Sequence, residues 1–261
     1  MNKSKLLILA ILNLIGFLGT IIVNGLSSAI PINGKTAGEL SDKYPNLFVP
    51  TGLTFSIWGL IYILLAIFVT YGLIIAARKD TDKSSFIGNI NVFFFISCLA
   101  NIGWIFAWHY EVVPLSLILM LVLLTTLITI YLRLQIGKSD SPQTEKYLVH
   151  LPFSVYLGWI TIATIANVTA LLVYINWNTF GLGEQFWTVA VIIVGIVISL
   201  SVLLTRKDIL CCLVVDWALL GILLKRLADS APVQSVIVVT IVGLVLITAG
   251  IVIQVIRKKV Y

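Results

Sequence analysis

The chain has 261 residues, of which 60% are hydrophobic and only 11% charged. Soluble domains carry roughly 25% charged residues, and no soluble core hides this much apolar surface, so a water-soluble globule is excluded and the solvent is lipid. The formal charge of +6, from 17 basic and 11 acidic side chains, then reads as membrane topology and not as a nucleic-acid footprint.

Crossing ~30 Å of hydrocarbon takes ~20 apolar residues, so the sequence predicts an all-α, polytopic membrane bundle of about eight helices. Hydropathy and flanking charges place them at 6–30, 51–77, 86–109, 112–135, 147–176, 186–204, 209–224 and 233–256. The breaks have local causes. Pro31, Asn33 and Gly34 stop the first helix, Arg78-Lys79-Asp80 ends the second, and Pro114 restarts the chain after the turn at His109-Tyr110-Glu111. Polar loops follow at Gly137–Pro142 and Asn178–Gly183, and a tight one at Arg206-Lys207-Asp208. The basic start resembles a signal peptide, but its apolar run exceeds the usual ~7–15 residues and lacks a small-x-small cleavage site, so it is read as a retained first helix. Residues 31–50 form the longest stretch between spans and read equally as a lid or as a loose linker. The seventh segment is short and contains Asp216.

With the N-terminus in the cytoplasm, thirteen basic residues fall inside: Lys3, Lys5, Arg78, Lys79, Lys83, Arg133, Lys138, Lys146, Arg206, Lys207, Arg257, Lys258 and Lys259. Four fall outside: Lys35, Lys43, Lys225 and Arg226. That bias requires an even number of spans with both ends inside, and a multi-pass protein of the cell membrane is expected. Cys98, Cys211 and Cys212 lie in or beside apolar runs without metal-ligand spacing and read as small buried hydrophobes.

In lipid, polar side chains turn to the bundle interior and mark each helix's inner face. At ~100° per residue, Asn13, Gly16, Thr20, Asn24 and Ser27 share one stripe on the first helix. Phe55, Trp58, Tyr62 and Ala66 share one on the second. Tyr156, Trp159, Ala163, Asn167 and Ala170 line up on the fifth, with Thr164 to one side. The third offers Ser97, Asn101 and Trp104, with Trp108 near its end. An aromatic interior with almost no charge suits a flat, largely apolar ligand with a few hydrogen-bonding groups and does not suit a permeating ion. The same residues also serve as ordinary helix–helix packing, and periodicity leaves both readings open.

The residues carry a family resemblance. Trp58-Gly59-Leu60-Ile61-Tyr62 resembles the W-x-x-x-Y signature of the tryptophan-rich sensory protein/translocator protein (TspO/MBR) family. Asn101-Ile102-Gly103-Trp104 is similar to its N-x-x-W motif, and Tyr156-Leu157-Gly158-Trp159 with Ala163-Thr164 and Asn167 to its Y-L-x-W-x-x-x-A-T-x-x-N pattern. These motifs cover about residues 1–177. The resemblance implies a five-helix membrane domain over 1–180, a three-helix extension over 181–261, and a lid over 31–50. It implies binding of a tetrapyrrole, sterol or other flat aromatic ligand by Trp58, Tyr62, Asn101, Trp104, Tyr156, Trp159, Ala163 and Asn167. The sequence departs from the pattern at Val49-Pro50-Thr51-Gly52-Leu53, where many members carry a Pro-Pro pair and an extra Trp. At Tyr174-Ile175-Asn176-Trp177 it lacks the basic residue of the sterol pattern, so a tetrapyrrole or aromatic ligand is favoured over a sterol.

Asp216 costs ~2.5–3.5 kcal/mol to place in a span, which demands a partner or a role. Arg206 and Lys225 are its candidate partners; a proton or ion site is the alternative. No nucleophile elbow, H-E-x-x-H, phosphate loop or carboxylate pair occurs in the spans, so no enzyme, catalytic residue or metal site is expected. His109 and His150 are placed at helix ends by the interface. The leading expectation is thus a membrane receptor or sensor for a porphyrin- or haem-like ligand, with no cofactor required. Its partners are the bilayer and a small lipophilic molecule, with no nucleic acid, and Gly16 and Gly19 permit a homodimer contact. The alternatives are a secondary transporter working through Asp216 and a structural membrane subunit whose aromatics only pack.

Overall fold

A computed structural model describes residues 3–30, 32–78 and 84–257, and among them every regular element is a helix. In chain order these are α1 (Lys3–Ala29), α2 (Ala37–Lys43), α3 (Ile57–Arg78), α4 (Ser85–Ile90), α5 (Phe93–His109) and α6 (Val113–Arg133). There follow the single turn α7 (Gln143–Glu145), α8 (Leu151–Tyr174), α9 (Gly183–Arg206), α10 (Ile209–Ala228) and α11 (Gln234–Ile256). Short 3₁₀ turns lie at Ile32–Gly34, Gly52–Ser56 and Thr179–Gly181, and a π-turn at Lys146–His150 leads into α8.

Each expected segment contains a helix, but among the described residues six stretches, not eight, are long and apolar enough to cross a membrane: Lys3–Ala29, Gly52–Arg78, Val113–Arg133, Gln143–Tyr174, Gly183–Arg206 and Gln234–Ile256. The other two differ for physical reasons. The expected helix 86–109 is broken at Asn91, whose φ of 51° is left-handed, leaving α5 with 17 residues. α10 carries Asp216, Lys225 and Arg226 within its 20 residues. Pro31, Lys79, Asp80, Lys83, Lys258 and Lys259, which enter the expected breaks and charge count, lie outside the described residues.

α1 shows how the solvent shapes the helices. Asn13, Gly16, Thr20, Asn24 and Ser27 are buried, while Leu7, Ile8, Ile11, Ile15, Leu18 and Ile22 are exposed. This inverts the pattern of a soluble helix, because lipid accepts leucine but offers a hydroxyl nothing to bond. The buried hydroxyls therefore turn back on their own helix: Thr20 donates to the Gly16 carbonyl at 3.0 Å and Ser27 to that of Asn24 at 2.9 Å.

The chain forms two compact units, Met1–Ala37 with Trp58–Leu157 and Gly38–Ile57 with Gly158–Tyr261. In the first, α5 packs on α1 and α6. Gly16 makes the α1–α5 approach possible, since a Cβ there would sit 2.9 Å from the Phe95 ring. Phe68, Phe86, Phe94 and Phe153 fill a second part of this core, with Phe68 meeting the other three edge-on at 4.9–6.5 Å. His150 is buried there and lies 3.3 Å from Glu145, while His109 is fully buried at the end of α5. Both lie at helix ends as expected, and both rings are buried in protein.

In the second unit α9, α10 and α11 pack on one another, and residues 38–57 are strapped onto α10 and α9. The Thr51 amide donates to the Gly221 carbonyl at 3.2 Å and Trp217 Nε1 to the Thr54 carbonyl at 2.9 Å. Lys225 Nζ meets Asp42 at 2.6 Å, and the Leu47 amide donates to Glu184 at 2.7 Å. With Tyr44, Phe48 and Val49 buried as well, the segment is an ordered strap and not a loose linker. Asp216 accepts from Thr248 at 2.9 Å, while its expected partner Lys225 is engaged by Asp42.

Close backbone approach also joins α8 to α10, where a Cβ on Gly158 would lie 2.8 Å from the Cys211 carbonyl oxygen. Backbone cannot yield as a side chain can, so Gly158→Ala is expected to lower stability by about 1–3 kcal/mol. Thermal unfolding of the detergent-solubilised variant measures this; an unchanged midpoint would show that the two helices separate freely.

Candidate functional site

The spacing of α3 places Trp58 and Tyr62 one turn apart, and that of α5 places Asn101, Trp104 and Trp108 along one face. In the first unit these residues meet Tyr156, from the first turns of α8. Trp58 is the hub. Its ring stacks on Tyr62 at 5.5 Å and 21°, lies 6.2 Å and 29° from Trp104, and meets Tyr156 edge-on at 6.1 Å. Trp104 in turn stacks on Trp108 at 6.3 Å and 14°. The result is a ladder of flat π faces in the order Tyr62, Trp58, Trp104, Trp108. Each contact of this kind adds ~0.5–1.5 kcal/mol beyond simple burial.

A polar thread runs beside the ladder. Asn24 of α1 donates through Nδ2 to Asn101 Oδ1 at 2.7 Å, and Asn101 Nδ2 reaches the Tyr156 hydroxyl at a long 3.4 Å. The Asn24 amide also reaches back to the Thr20 carbonyl at 2.9 Å. Asn101 is fully buried, and with lipid as solvent such an amide is retained only if its groups are bonded. Two polar atoms on the ladder are not bonded: the Tyr62 hydroxyl and Trp104 Nε1 are buried without a partner. An orphaned buried donor costs about 1–3 kcal/mol, which a hydrogen-bonding guest would recover.

The far end of α5 anchors the incoming chain. Trp108 Nε1 donates to the Ala37 carbonyl at 3.2 Å, and Asn33 Nδ2 donates to the His109 carbonyl at 3.0 Å. His109 Nδ1 lies 2.8 Å from the Ile105 carbonyl, which can only accept, so that nitrogen carries the proton.

Of the eight expected residues, Trp58, Tyr62, Asn101, Trp104 and Tyr156 thus come together within the first unit. Trp159, Ala163 and Asn167 belong to the second. There Trp159 is buried and meets Phe55 edge-on at 5.9 Å, Asn167 is buried, and Ala163 is half-buried. Asn24 was absent from the expected set although its stripe on α1 contained it; the bond that recruits it joins residues 77 apart in the chain.

An intramembrane helical bundle with an aromatic ladder and a threaded pair of asparagines defines the class of protein. The chain belongs to the TSPO-like protein family, matching it over residues 10–253. The match therefore runs past residue 177, where the sequence motifs end, and takes in α9, α10 and most of α11. No curated protein and no solved structure matches the chain.

The Asn24–Asn101 bond should be measurable as a coupling. A double-mutant cycle of Asn24→Ala and Asn101→Ala, followed by unfolding, is expected to give ~0.6–1.7 kcal/mol, the range of interhelical hydrogen bonds in membranes. Additive single effects would remove the bond from the account.

Proposed function

We propose that the chain is an integral membrane ligand-binding protein or sensor of the tryptophan-rich sensory type. It takes a tetrapyrrole or another flat aromatic, lipophilic molecule at the ladder of Trp58, Tyr62 and Trp104. The observation that carries this reading is the pair of unpartnered buried groups, Tyr62 OH and Trp104 Nε1, on rings already ordered for stacking. A planar guest with a few polar atoms meets both requirements at once. The ligand is cargo or signal, not a cofactor, and Asn101 positions Tyr156 beside it. Trp159, Ala163 and Asn167 match the family pattern as well and belong to the second unit.

The proposed topology is eight spans with both termini cytoplasmic in the cell membrane, and the thirteen-to-four division of basic residues supports it. In this scheme α5 and α10 cross with the six longer stretches.

Protoporphyrin added to the purified protein is expected to quench Trp fluorescence saturably. Trp104→Phe, which keeps a ring but removes the N–H, and Asn101→Leu are each expected to weaken binding about tenfold, the loss of one good hydrogen bond to the ligand or its positioning group. Superimposable quenching curves for all three proteins would sink the proposed pocket.

A specific observation favours a second reading, proton-coupled transport. Asp216 sits within α10 with one oxygen on Thr248 and the other, Oδ1, buried without a partner, and ionisable groups inside spans mark proton relays. On this reading Asp216→Asn abolishes pH-driven porphyrin uptake into proteoliposomes. Uptake equal to that of empty liposomes in the unaltered protein excludes it.

A further inference from the structure

The second unit contains two cavities that share Pro45, Asn46 and Glu184 in their walls. One, of about 290 Å³, is a slot between the end of α8 and the start of α9, walled by Val168, Leu172, Val191, Trp177 and Trp187. Its two tryptophans meet at 5.0 Å and 60°, and Trp187 is held by donating to the Thr179 carbonyl at 2.8 Å. From Glu184 at its mouth to Val191 is seven residues of helix, so the slot reaches ~10 Å down α9. The other cavity, of about 450 Å³, is polar and is lined by Asp42, Glu184, Lys225, Arg226 and Asp229.

The charges of the polar cavity specify a guest. Lys225 is paired with Asp42 at 2.6 Å, and Arg226 Nη1 with Asp229 at 3.0 Å. Glu184 is left as an excess negative charge whose Oε1 takes only the Leu47 amide. Arg226 is 6% exposed, and its Nε has no partner. The mouth therefore lacks one cation and one acceptor together. An anionic headgroup would face the Glu184 carboxylate, and a purely cationic one would leave the guanidinium unmet. A quaternary ammonium presents methyl groups and cannot donate to the carboxylate.

We propose that these joined cavities bind one zwitterionic phospholipid of the phosphoethanolamine type. Its ammonium lies on Glu184, its phosphate on Arg226, and the upper part of one acyl chain in the Trp177–Trp187 slot. The guanidinium is the side chain whose geometry suits a phosphate. The proposal concerns the second unit and stands apart from the aromatic ladder, so failure of porphyrin binding leaves it intact.

The test is native mass spectrometry of the delipidated full chain offered phosphatidylethanolamine, phosphatidylcholine and phosphatidylglycerol in equal amounts. Retention of the ethanolamine lipid is expected to exceed that of the other two by about tenfold, and Glu184→Gln to reduce the preference to within about twofold. Removing a buried arginine can unfold its surroundings, so Arg226→Lys, which keeps the charge and loses Nε, is the companion variant and is expected to lower retention. Ethanolamine lipid with brominated acyl chains should quench Trp fluorescence, and Trp187→Phe should remove part of that quenching. Equal retention of the three lipids, preference for the glycerol lipid, or an unchanged preference in Glu184→Gln would overturn the proposal.

Discussion

Lipid cannot form hydrogen bonds, and most of the structure follows from that. In water a buried asparagine is costly beside the solvated alternative; in a bilayer the solvent is no better than the interior, and every polar side chain must find protein. α1 accordingly faces leucine and isoleucine outward and keeps Asn13, Thr20, Asn24 and Ser27 inside. Threonines that are not fully turned inward solve the problem alone: Thr125 is exposed and Thr129 half-buried, and each donates to the carbonyl four residues back at 2.8 Å. The Asn24–Asn101 bond is the case in which two helices solve it together, and it fixes the face that α1 presents to α5.

The same constraint makes small residues structural. Without a hydrophobic force between helices, association depends on close packing, and backbones approach only where a side chain is missing. Gly16 serves α1 and α5. In the second unit Gly158 serves α8 and α10, and Gly243 admits Ile196 of α9 against α11. Gly221 serves another purpose: a Cβ there would collide with the Thr54 hydroxyl, so the bare α-carbon is what lets the strap lie on α10 with its Thr51 amide bonded. The helices beyond the sequence motifs are thus the seat of the strap that precedes α3, which accords with a family match extending to residue 253.

Local periodicity revealed what is local. The helices and the inward stripes of α1 and α8 were legible because apolar length and a period of 3.6 are written in consecutive residues, whereas on α3 and the turn before it the expected Phe55, Trp58, Tyr62 and Ala66 are half-buried and Ile61, Leu65 and Phe68 are the deeply buried ones. The four-residue spacing of Trp58 and Tyr62 and the three-residue spacing of Asn101 and Trp104 were legible for the same reason. The break at Asn91 was not, since asparagine in an apolar run reads as a polar contact until its left-handed φ is seen. Nor were the strap's partners: Trp217 to Thr54 spans 163 residues and Lys225 to Asp42 spans 183, and no period connects such positions. For Asp216 the charge alone suggested a cation, whereas the fold supplies a hydroxyl, Thr248, from α11.

Lys225 and Arg226 illustrate how structure sharpens a count. On the proposed topology they are two of only four basic residues outside, and a polarity rule that tolerates exceptions would simply absorb them. Their pairing gives each a reason to be there. Lys225 fastens the strap through Asp42, and Arg226 is buried against Asp229 at the end of α10. Basic residues at a helix C-terminus also complement its partial negative charge. The two exceptions are therefore held by specific partners, and the proposed thirteen-to-four division is weakened by them less than the bare numbers suggest.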